Sequence, residues 1–222
     1  MDTYQNTVKV WDPIVRVGHW TLVIAFFTAY FTEDDFLTQH VWAGYVVGGI
    51  VCFRLFWGFV GSRHARFEDF VRSPKTTWRY LCDLKGNRAK RYVGHNPAGA
   101  AMIIALLISI AGAVYSGLVL YAIEEGEGPL AGWVANGTVS LRVPTLITGA
   151  QADDDNDVRH KGYKRHIDEA SEEFWEETHE VFANLALLLV GLHVAGVLFS
   201  SYAHRENLIK AMVTGHKRSG PE

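Results

Sequence analysis

The stretch HEVFANLALLLVGLHV, residues His179–Val194, places a histidine near either end of an otherwise apolar run. A separation of 14 residues is about 21 Å of helical rise and falls within about 40° of four full turns. Both imidazoles therefore share one face of one helix, near its opposite ends. An ionisable ring inside an apolar run is costly and marks a functional position. What the two rings serve depends on the rest of the chain.

The run is one of four. Ile14–Thr32, His40–Val60, Pro97–Tyr121 and His179–Tyr202 each hold about 20 residues with few charges, the length at which a helix crosses about 30 Å of hydrocarbon. The expected fold is all-α: an integral membrane four-helix bundle, one domain over residues 1–222, with a long outer loop at Ala122–Thr178 between the third and fourth helices. A soluble bundle with unusually apolar helices is the alternative, and hydropathy and charge placement both oppose it. The apolar fraction of 49% and net charge of −3 are ordinary; they indicate no nucleic-acid partner, whereas the segregation of apolar and charged residues makes membrane lipid the first partner.

Charge also orients the chain. Arg63–His95 carries nine Lys/Arg against three acids, while Glu33, Asp34 and Asp35 fill the first connection and Ala122–Thr178 holds 13 acids against five Lys/Arg. Basic connections stay on the cytoplasmic side, so both termini and the central loop are expected there, in agreement with Arg205, Lys210, Lys217 and Arg218 after the last span. Arg16 and His19 interrupt the first span early and no small-residue cleavage site follows, so that helix is expected to be retained. Cys52 lies in a span and Cys82 in the central loop, which predicts no disulfide. The chain contains no CxxCH, which excludes covalently attached c-type haem. Within the central loop, Ser73–Pro74 marks a turn, and Trp78, Leu81 and Leu84 share a face of a short interfacial helix. In the outer segment the middle, with QADDDND, reads as irregular, and DEASEEFWEETHE as a helix running into the last span.

Of ten histidines, His19, His40, His179 and His193 lie inside or at the ends of the apolar runs. With the orientation above, His40 and His179 fall at the outer depth, and His19 and His193 at the inner. A histidine pair from facing helices at each of two depths suits two bis-histidine haems. Gly44 and Gly48 follow His40 along one face, and Ala183, Ala186 and Val190 lie between His179 and His193, small enough to let a macrocycle approach. Close helix packing explains the same small residues, and histidines also serve as polar contacts between helices. Non-haem metal catalysis is a sharper rival, but its ligands cluster with carboxylates, and Glu180, the one candidate here, points away from its neighbour His179. Arg54 sits 14 residues after His40 on nearly the same face, at the depth of the inner haem, where a propionate would neutralise it; snorkelling to the interface is the alternative. Arg16, about one turn before His19, has the same two explanations.

The segments VWDPIVRVGHW, GHNPAGAAM, HEVFANLALLLVGLHVAGV and HRENLIKAMVTGHKR resemble the bacterial cytochrome b561 family, which includes the cytochrome b subunits of nickel-iron hydrogenases. The resemblance covers nearly the whole chain apart from Val139–His166. It implies four helices of the bacterial cytoplasmic (inner) membrane holding two non-covalent haems b, with axial ligands at His19, His40, His179 and His193. It also implies electron transfer between a membrane quinone and a periplasmic partner: a cytochrome c, a hydrogenase or another dehydrogenase. His95, in VGHNPAG, is then a candidate to hydrogen-bond or exchange a proton with the quinone, or else simply the neighbour of a helix cap. The acidic outer segment is either a tether or a surface steering a basic partner such as a c-type cytochrome. Two other functions stay open at this point: a stand-alone oxidoreductase acting on a small outer oxidant such as superoxide, and a haem-free membrane anchor.

Overall fold

The computed structural model describes residues 7–33, 36–86, 88, 90–136 and 158–218, with side chains for all of these except 85 and 158–168. In chain order the elements are β1 (Thr7–Lys9), α1 (Pro13–Phe31), α2 (Leu37–Val60), a 3₁₀ turn at Arg63–Ala65, α3 (Phe67–Phe70), α4 (Pro74–Lys85), α5 (Pro97–Glu124), α6 (Ala131–Ala135), α7 (Val158–Ala203), α8 (Leu208–Thr214) and β2 (His216–Arg218). The QADDDND run and the irregular middle expected for the outer segment fall at 137–157, outside the described residues.

Among the described residues four helices are long and apolar enough to cross a membrane: Pro13–Phe31, Leu37–Val60, Pro97–Glu124 and the Glu169–Ala203 part of α7. Large apolar side chains such as Ile24, Phe31, Trp42, Phe59 and Leu188 are exposed on them, as suits helices whose surroundings are lipid rather than water. The helix starts are written in the sequence. Asp12 caps α1, its carboxylate accepting the Val15 N–H at 2.8 Å, with Pro13 in the first turn. Ser73 and Pro74 do the same for α4. Asn96 accepts the Gly99 N–H at 2.7 Å ahead of α5, and Asn207 accepts the Lys210 N–H at 2.7 Å ahead of α8. Each side-chain oxygen satisfies an N–H that the first helical turn leaves without a partner.

The chain forms two compact units, one built from residues up to Ala111 together with those from Asn184 onward, the other from Gly112–Ala183. In the first unit α1 packs on α2, with Ala25, Ala43, Val47 and Val51 buried. Asp12 joins the start of α1 to the end of α2, accepting hydrogen bonds from the Ser62 hydroxyl and, at 3.4 Å, from the Trp57 indole. Burial would raise its carboxyl, but the bonds from Ser62, Val15 and Trp57 outweigh it and hold Asp12 below the usual 3.8.

The same unit closes with a clasp between the first and last described segments. β1 pairs antiparallel with β2, Val8 opposite Lys217. Gly215 takes φ +84°, a left-handed helix cap suited to glycine, and a Cβ there would stand 2.8 Å from the Trp11 carbonyl. Its own carbonyl accepts the Val10 N–H at 2.9 Å. Val10, Trp11 and Ala211 form a buried cluster flanked by Val93 and Met212. The central loop joins in: Arg91 donates Nε–H to Glu206 at 2.9 Å and also donates to the Arg218 carbonyl, and the Lys217 ammonium reaches the Gly94 carbonyl at 3.3 Å. The first and last described segments and the central loop thus meet within one unit.

α4 confirms the short helix expected in the central loop, with Trp78 and Leu81 exposed. α7 confirms the helix expected ahead of the last span and begins earlier, at Val158.

Candidate functional site

His40 lies in the first turn of α2. Its Nδ1 is 2.9 Å from the carbonyl of Ala29, in the last turn of α1. His179, in the second unit, has Nδ1 2.8 Å from the Ala113 carbonyl and 3.3 Å from the Ser116 hydroxyl, both on α5. A carbonyl can only accept, so Nδ1 must carry the proton in both rings and the lone pair lies on Nε2, the tautomer of a histidine that binds metal through Nε2. Ala29, Ala113 and Ser116 were not foreseen from the sequence. The one signal was Ser116 beside Gly117, a small polar pair inside an otherwise apolar span.

His19 and His193 both belong to the first unit and lie within range of each other's charge. Among the described residues five buried side-chain nitrogens lack a hydrogen-bond partner, all in this unit: Arg16 Nε, His19 Nδ1, Arg54 Nη1, Arg66 Nε and His95 Nδ1. Buried polar atoms are nearly always satisfied, so these nitrogens leave donors and acceptors open to a further hydrogen-bonding group. Arg16 keeps one anchor, donating to the Val213 carbonyl at 2.7 Å. Arg54 lies over the rings of Phe67 and Phe70, at 5.2 and 5.8 Å, a contact that supports a guanidinium without neutralising it.

His95 is enclosed between the rings of Trp11 and Phe70, with centroids at 4.4 and 4.7 Å. Burial lowers its pKa to about 3, with Arg54, Lys217, His64 and His193 adding to the effect, so the imidazole is neutral at physiological pH and hydrogen-bonds rather than carries charge. His64, paired with Asp69 at 3.1 Å, stands against Gly94 on the other side.

These residues fit haem b. Two histidines have their tautomer set for Nε2 ligation, and two guanidinium groups hold buried donors suited to propionates. At Gly44, one turn after His40, a Cβ would meet nothing within 4 Å. Ala186, expected along the wall between His179 and His193, is fully covered by protein and serves close packing at that point. Among the described residues no three His, Cys, Asp or Glu side chains gather as a metal cluster.

Four membrane-length helices, two of them carrying imidazoles with Nδ1 bonded to backbone carbonyls, define a multi-pass helical membrane protein. Sequence comparison gives the family: the profile described as prokaryotic cytochrome b561 matches residues 10–215, and the chain belongs to that family. It is similar to the probable Ni/Fe-hydrogenase B-type cytochrome subunit of Rhodobacter capsulatus, 29% identical over 163 residues that cover 59% of this chain and 62% of the relative. The subunit of the same name from Azotobacter chroococcum mcd 1 is 30% identical over 165 residues, covering 59% of this chain and 68% of the relative. The chain thus spans a little under two thirds of the length of the first of these relatives. No solved structure matches it.

Proposed function

We propose that the protein is a di-haem b-type cytochrome that carries electrons between a membrane quinone and a hydrogenase-type partner on the outer side of the bacterial cytoplasmic membrane. The observation that carries this reading is the histidine set. In a cytochrome b561 family chain, four histidines stand on three membrane-length helices, and two of them have Nδ1 bonded to backbone carbonyls. His40 with His179, and His19 with His193, are the proposed ligand pairs. Held by histidine pairs, haem b would supply a one-electron ferric/ferrous couple suited to electron transfer.

The chain's own residues hold and insulate that couple. Arg16 and Arg54 offer their buried donors to propionates, and neutral His95 hydrogen-bonds a quinone headgroup at the same end. The names of the relatives support a hydrogenase as the partner. The clasp of β1, β2 and the Arg91 loop supports a common side for both ends and the basic central loop, which the charge distribution makes cytoplasmic.

Protein purified in detergent should carry two haems b per chain in a pyridine haemochrome assay, and both should exchange electrons with a quinone/quinol analogue. One haem per chain, or none, overturns the proposal, and so does a fully loaded protein that neither a quinol reduces nor, once reduced, a quinone oxidises.

A further inference from the structure

In an α-helix the carbonyl of one residue points toward the residue four positions later, whose Cβ ordinarily shields it from anything approaching sideways. Ala113 lies in the middle of α5, and the residue four positions on is Gly117. A Cβ at Gly117 would stand 2.8 Å from His179 Cε1 and 3.0 Å from its Nδ1, well inside the 3.5–4.0 Å or so of an ordinary carbon contact. The absence of that atom lets the His179 ring reach the Ala113 carbonyl at 2.8 Å.

Ser116 completes the arrangement. It is fully buried, and its hydroxyl donates back along the helix, chiefly to the Gly112 carbonyl at 2.8 Å and also toward the Ala113 carbonyl at 3.1 Å. That turns an oxygen lone pair toward His179 Nδ1–H at 3.3 Å, so the one proton is shared between two acceptors. His40 obtains its carbonyl differently: Ala29 lies in the last turn of α1, where its carbonyl accepts the Thr32 N–H at 3.2 Å and the Thr32 hydroxyl at 3.3 Å and is reached by His40 without a glycine.

We propose that Ala113, Ser116 and Gly117 form a seat on α5 that positions the His179 imidazole and sets its basicity as a haem ligand, with Ser116 and Gly117 as positioning residues. This rests on the reading of His179 as an axial ligand. Two acceptors on one Nδ1–H draw its proton outward and enrich Nε2 in electron density, which favours ferric over ferrous iron and lowers the potential of the haem that His179 holds.

The test uses the full-length protein in detergent, with haem content by pyridine haemochrome and midpoint potentials by titration of the reduced spectrum. His179→Ala should leave one haem per chain and so identify which potential belongs to His179. Ser116→Ala should keep both haems and raise that potential alone. Gly117→Ala should raise it further or lose that haem, whereas Gly112→Ala, which places its Cβ 2.6 Å from the Phe182 ring instead, should leave that potential unchanged. If His179→Ala costs one haem while Ser116→Ala and Gly117→Ala leave both potentials in place, the seat is refuted and the ligand stands. If His179→Ala keeps both haems, the ligand reading falls and the seat with it. Equal shifts of both potentials in Ser116→Ala would mark general packing and also overturn the inference.

Discussion

The pair Arg91–Glu206 should be the strongest single determinant of the clasp. Its side chains are only 13% and 7% exposed, and Arg91 places two donors on one Glu206 oxygen while also bonding the Arg218 carbonyl in β2. Breaking a buried ion pair from one side costs about 3–5 kcal/mol, because the remaining charge is left without compensation, whereas replacing both members with apolar groups is close to neutral. Glu206→Ala should therefore open the clasp by at least about 3 kcal/mol, a factor above roughly 100 in its opening equilibrium. Hydrogen exchange at the Val10 amide, which is bonded to Gly215, reads that equilibrium. Arg91→Met combined with Glu206→Met should restore most of the protection. Single variants that each change exchange by less than about fivefold, and add in the double variant, would show that the pair is worth about what a surface ion pair is, below about 1 kcal/mol, and would refute the argument.

Substituting His40 or His179 by alanine should remove the same haem, and His19 or His193 the other; loss of one common spectral species from His19→Ala and His40→Ala would contradict the pairing. Reporter fusions after Lys90 and after Arg218 should mark the cytoplasm and one near Asp155 the outer side, so an outer signal at Lys90 reverses the orientation. His95 stays neutral in the folded protein down to about pH 3, whereas unfolded it takes up a proton near 6.5. Its contribution to stability is thus complete above about pH 6.5 and lost as pH falls toward 3. His95→Phe, which keeps a ring between Trp11 and Phe70, should flatten thermal stability against pH across that window, and an unchanged slope would show that His95 protonates as readily as a surface histidine.

Hydropathy located the spans because burial in lipid demands long apolar runs, but it marks the edge of the hydrocarbon rather than the end of a helix. Expected Ile14–Thr32 became Pro13–Phe31, whose start is set by Asp12 and Pro13. Expected His179–Tyr202 became the end of a helix that begins at Val158, since DEASEEFWEETHE contains neither glycine nor proline to break it. The clasp was not legible: its strands are three residues each, too short for an alternating pattern, and their partners lie at opposite ends of the chain. Nor was the seat of His179. Small residues were sought on the helices that carry histidines, while Gly117 acts from a helix that carries none, through a backbone carbonyl that has no sequence identity at all.

Val8 is synthesised long before Lys217, yet the two are strand partners. At ribosomal speeds of about 5–20 residues per second, β1 waits roughly 10–40 s for β2, long after α1 has met α2. A chain interrupted between Ala203 and Gly215 has its four spans but cannot cover Trp11 with the α8–β2 segment. Closure of the clasp therefore waits on translation of α8 and β2, and until then β1 is an unpaired strand and Trp11 lacks the cover of that segment.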